Sequence, residues 1–143
     1  MFPLKLLEIA SMIVAAEEVV NRSASSSKTI ELSNQTINPS GKITVIDLKG
    51  MGRLHELLII SSTNLFKVTI TVDGTIVWDK SFDEASLVAS QIGSVSAFQR
   101  DDGKYIYHIS NIPFSTGIKV EISSLDTSNP ITLDYVFGKY ERR

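Results

Sequence analysis

Apolar side chains in the first twenty residues recur at alternating spacings of four and three: Phe2, Leu6, Ile9, Ile13, Ala16 and Val20. That spacing places them on one side of a helix, as a coiled-coil seam does. Pro3 suits a first turn, where its missing N–H is not needed. Leu4 to Val20 contains no Gly or Pro, and the run Ser23-Ala24-Ser25-Ser26-Ser27 stops the pattern. The spacing predicts an amphipathic helix within 1–22 and a Ser-rich linker over 23–27.

From Lys28 the period changes to two, and residues 28–143 read as one β-domain. Phe66, Val68, Ile70 and Val72 alternate with Lys67, Thr69 and Thr71, and Asp73-Gly74 supplies a tight hairpin turn before Thr75 to Lys80. One apolar and one polar face per strand marks antiparallel sheets. Asp83 to Val88 reads as a short helical turn between sheets. About eight strands with turn signals at regular intervals predict a mainly β fold, an antiparallel jelly-roll-like β-sandwich preceded by an N-terminal α-helix.

The helix carries more apolar surface than one seam. Ala10, Met12 and Val19 flank the stripe, and Leu4, Leu7 and Val14 lie on another side. Such a helix either packs on its own sandwich or associates with copies of itself. The 3.5-residue period and the Ser-rich tether point to the second arrangement, with Phe2, Leu6, Ile9, Ile13, Ala16 and Val20 as the oligomer interface. Isoleucine at both seam positions shifts parallel assemblies away from dimers, so a trimer is expected. Glu8 and Glu17 confine the apolar run between them to eight residues, against the roughly 20 that span a bilayer, so no membrane partner is expected.

Composition narrows the chemistry. A net charge of -2 with scattered basic residues gives no reason to expect nucleic acid as a partner. There is no cysteine, which removes disulfides, thiolate metal sites and cysteine nucleophiles. His55 and His108 each fall within a predicted strand and read as structural, hydrogen-bonded residues. Asp83-Glu84 falls in the short helical turn, and Asp101-Asp102-Gly103 reads as a hairpin turn, where Asp side chains bond to nearby backbone. No residue is assigned a catalytic or metal-binding role, and no cofactor is expected. The aromatics Trp78, Tyr105 and Tyr107 have two readings: a stacking platform for sugar rings on an exposed sheet face, or core and cross-strand packing.

Gly50-Met51-Gly52-Arg53-Leu54 leads into the apolar run Leu58-Ile59-Ile60-Ser61-Ser62, and Val68 to Ile76 forms an I-x-V-D-G-x-I hairpin. Ile112-Pro113-Phe114 then precedes the strand Gly117 to Ser123. Over residues 42–125 this succession resembles small virion structural proteins of tailed phages and related viruses. The resemblance implies a head, tail or baseplate component, located in the virion, that assembles symmetrically with other virion proteins and carries no catalytic residues. The expected function is therefore a non-enzymatic viral structural protein (capsid, decoration or tail component) that self-assembles through its N-terminal helix. The alternative is a carbohydrate- or receptor-binding β-sandwich module.

Overall fold

The computed structural model describes residues 27–89 and 93–143. The expected helix within 1–22, its seam residues and linker positions 23–26 lie outside the described residues. Nine strands and one short helix follow: β1 (Ser27–Ile37), β2 (Lys42–Lys49), β3 (Gly52–Ser61), β4 (Phe66–Val72), β5 (Thr75–Ser81), α1 (Phe82–Val88), β6 (Val95–Gln99), β7 (Tyr105–Phe114), β8 (Gly117–Ser124) and β9 (Ile131–Arg142). Ser27, expected in the linker, is the first residue of β1.

The strands form two antiparallel sheets, one ordered β1-β9-β3-β7-β6 and the other β2-β8-β4-β5. The pairings are nested. β4 pairs with β5, β3 with β7, β2 with β8 and β1 with β9, so strands before the Asp73-Gly74 hairpin find partners progressively farther along the chain. Leu57, Ile59, Tyr107, Ile109, Leu133 and Val136 of the larger sheet meet Phe66, Val68, Ile70, Val120 and Ile122 of the smaller one in a common core. The molecule is a β-sandwich. The alternation expected for Phe66, Val68 and Ile70 is the inward face of β4, each with no exposed surface.

Helix α1 crosses from the smaller sheet to the larger, where a helical turn was expected. Ser81 caps it by accepting from the Glu84 N–H at 3.1 Å, while the Glu84 carboxylate accepts from the Ser81 N–H at 2.9 Å. Phe82 and Ala85 turn inward, and the Phe82 ring lies edge-on to Tyr105 at 5.1 Å. Two strands run longer than their sequence pattern. β1 continues through polar Ser33 to Thr36 because β9 pairs with it as far as Ile37–Ile131. β7 continues to Phe114 past Pro113 because β3 pairs with it as far as Gly52–Phe114, whereas the pairing with β6 ends at Ile109.

Candidate functional site

The three aromatics singled out as a stacking platform come together, though not as a row on a surface. Tyr107 has no exposed surface, and Trp78 and Tyr105 are half-buried against the core. The Trp78 indole Nε1–H donates to the Tyr107 hydroxyl at 2.6 Å, and that hydroxyl donates to the Lys80 carbonyl at 3.0 Å. Tyr107 is thus a strut from β7 of one sheet to edge strand β5 of the other. Burial pushes its phenol pKa upward, against a smaller downward pull from the Trp78 hydrogen bond. A cleft of about 390 Å³ opens beside Trp78, walled by Val77, Val95, Ile109 and Ile112.

The polar candidates hold structure. His108 pairs with Glu56 at 3.2 Å and His55 with Glu141 at 3.1 Å. Asp102 accepts from Arg100 at 2.6 Å and from the Lys104 N–H at 3.1 Å, closing the β6–β7 turn. Asp83 accepts from the Asn64 side chain at 3.0 Å. Among the described residues, no three histidine or acidic side chains converge as a metal site would need.

Asp73 does more than the hairpin turn required. Its carboxylate accepts from the Thr116 N–H at 2.6 Å, the Ser115 N–H at 3.0 Å, and the Gly117 N–H and Thr116 hydroxyl at 3.1 Å. One side chain therefore ties the β4–β5 turn to the β7–β8 turn. The backbone bond from Thr116 lowers the carboxyl pKa most; desolvation opposes it, and the bonds from Gly117, Ser115 and the Thr116 hydroxyl add to the lowering. The unfolded chain lacks these donors. The stabilisation is accordingly full above the ordinary value of 3.8 and disappears as acid protonates the folded carboxylate below it. Asp73→Asn, which keeps the positive φ of 53° accessible, is expected to lower the melting temperature at pH 7. The deficit should shrink as melts are repeated towards pH 2, and a deficit independent of pH would contradict the clamp.

Further apolar side chains lie on the outer face of the five-stranded sheet. Leu57 and Ile59 point into the core, so Leu58 and Ile60 between them point out. Register aligns Phe98, Ile106, Ile60 and Tyr135 in one row across β6, β7, β3 and β9. The next row aligns His108, Leu58 and Phe137. The rings of Tyr135 and Phe137 stack at 6.5 Å, and the Tyr135 hydroxyl donates to Glu31 on β1. Phe98 is 51% exposed, Leu58, Ile60, Tyr135 and Phe137 are half-buried, and Ile106 is buried at 7% exposure. Charged groups border these rows. Lys104 pairs with Asp134 at 2.6 Å on one side, and Glu56, paired with His108, stands beside Lys139 on the other.

No family model matches the chain. It is similar to Gamma-hemolysin component B of Staphylococcus aureus (strain MRSA252), 27% identical over 122 residues that cover 82% of this chain and 37% of that protein. The chain thus spans little more than a third of that relative's length. Among solved structures it is similar to dimeric latent PorU from Porphyromonas gingivalis, with a TM-score of 0.45 and 9% identity over 90% of this chain and 14% of that one.

Proposed function

We propose that this chain is a non-enzymatic structural subunit, a jelly-roll β-sandwich that assembles with copies of itself and with other proteins as a capsid, decoration or tail component of a virion. The observation that carries the reading is the nested pairing of β1·β9, β2·β8, β3·β7 and β4·β5 around one hairpin. A long hairpin rolled into two sheets in this way is the plan of double-sheet jelly rolls, which viral capsid and lectin domains share. The outer face of the five-stranded sheet, with Phe98 exposed beside half-buried Leu58, Ile60, Tyr135 and Phe137, is compatible with a protein neighbour. The similarity to a protein named as one component of a hemolysin is compatible with a β-rich chain working alongside others.

Residues 2–20 supply the contact between copies, with Ile9 and Ile13 in the seam and three chains as the expected number. Light scattering of the full chain at micromolar concentration is expected to give a trimer, and Ile13→Asp a monomer that keeps the β-sheet circular dichroism. A wild-type chain that stays monomeric would end this reading. A second reading, recognition of a glycan or receptor, draws on the half-buried Trp78 indole at the cleft. It predicts a shift in tryptophan fluorescence on titration with sugars, and no shift across a sugar panel removes it.

A further inference from the structure

We propose that the cleft at the end of the sandwich where the β2–β3, β4–β5 and β7–β8 turns meet binds a small phosphate ester, with Arg53 and Arg143 holding the phosphate.

The walls come from segments that the fold ties to one another. The Gly50 N–H donates to the Thr116 carbonyl at 2.9 Å, joining the β2–β3 turn to the β7–β8 turn. Asp73 clamps the β4–β5 turn to the same place. The Arg143 N–H donates to the Met51 carbonyl at 2.8 Å and fixes the residue after β9 against the β2–β3 turn. Between them lies a cleft of about 430 Å³, walled by Met51, Arg53, Asp73, Pro113, Ser115 and Arg143. That volume suits a small molecule. Because the turns are already tied, little binding energy is lost in ordering the site.

Charge sets the class of ligand. The whole chain carries a net charge of -2, yet this end gathers Arg53 and Arg143 with Lys49 and Arg142, the last residues of β2 and β9. Arg53 donates to the Asn111 amide oxygen, a neutral partner, and makes no ion pair among the described residues. Its other guanidinium N–H groups remain for a ligand. Arg143 donates to Glu141 at 3.3 Å, a carboxylate that also pairs with His55. Asp73 is the acidic residue of the wall. It already accepts from the Ser115, Thr116 and Gly117 N–H groups and the Thr116 hydroxyl, so it does not compete for the guanidiniums. A guanidinium fork matches phosphate oxygens, and two forks favour a doubly charged phosphate over a single carboxylate. Met51, half exposed, and Pro113 give the same cleft an apolar wall for the carbon body of an ester.

Titration of the full chain with inorganic phosphate and with phenyl phosphate, at constant ionic strength and followed by amide chemical shifts, tests the site. Saturable shifts are expected at Gly52, Arg53 and Ser115, with phenyl phosphate the tighter ligand. Arg53→Gln and Arg143→Gln should each weaken binding about tenfold. Arg53→Lys should recover only part of that loss, since it keeps the charge without the fork. Lys139→Gln removes an equal charge from the outer face of the five-stranded sheet and should leave the affinity unchanged. Shifts that do not saturate, or arginine variants that bind as wild type does, would overturn the site. An equal loss in Lys139→Gln would overturn it in favour of diffuse attraction by the whole surface. Inorganic phosphate bound as tightly as phenyl phosphate would overturn the ester and make the free ion the ligand.

Discussion

Replacing Gly52 by alanine is expected to cost about 3–5 kcal/mol of stability, among the largest losses a single methyl group can cause. A Cβ at this position would sit 2.1 Å from the Glu141 carbonyl oxygen, 2.8 Å from the Phe114 ring and 3.0 Å from the Arg142 Cα. Two of those atoms belong to the backbone of β9, which pairs with β3 directly opposite Gly52. They cannot rotate aside as a side chain does, so the clash is relieved only by parting β3 from β9. The Phe114 ring is itself buried, with 3% exposed, and cannot swing out without opening the end of the core. Gly93→Ala is the matched control, since a Cβ there meets nothing within 4 Å. Urea unfolding of the two variants should separate them by several kcal/mol. A Gly52→Ala midpoint within about 1 kcal/mol of wild type would mean that β3 and β9 lie farther apart than described.

Gly52 also shows what a sequence can and cannot convey. The Gly-Met-Gly entry to β3 is legible as a motif, and its two glycines prove to serve different needs. Gly50 adopts a φ of +101°, whereas Gly52 admits a neighbouring strand. Local features were readable because their causes are local: the inward run Phe66-Val68-Ile70, the Asp73-Gly74 turn and the helical turn at Asp83 to Val88 each depend on residues a few positions apart. Long-range pairing leaves no such trace. Nothing in Ser33-Asn34-Gln35-Thr36 announces a strand, since its order comes from β9 about a hundred residues later. The candidate site shows the same limit. Alternation in Tyr105-Ile106-Tyr107-His108 separates two faces but does not say which is core, because the outer face of β7 is itself apolar at Ile106. The aromatic stripe therefore fits a surface platform and a buried strut equally well until the opposing sheet is in place. The outer face was hidden for a related reason, being assembled from one or two residues of each of four strands that only register brings into line.

Tyr107 separates the two contributions that hold the sheets together at that strut. Tyr107→Ala removes a fully buried ring in contact with Phe66, whose centroid lies 5.7 Å away, and is expected to cost about 3–5 kcal/mol. Tyr107→Phe keeps the ring and deletes only the hydroxyl, leaving the Trp78 indole N–H and the Lys80 carbonyl without that partner. Its cost should be smaller, about 1–3 kcal/mol, and its pH dependence distinctive. Because burial raises the phenol pKa above its unfolded value of 10.0, the folded state favours the neutral hydroxyl. That contribution is full below pH 10 and declines as alkali ionises the tyrosine of the unfolded chain. Phenylalanine has no such titration, so the stability gap between wild type and Tyr107→Phe should narrow above pH 10. Urea midpoints at pH 8 and pH 11 decide it. A gap that stays constant would mean that the hydroxyl reaches solvent, and the strut would then be an exposed tyrosine of the kind a sugar-stacking surface requires.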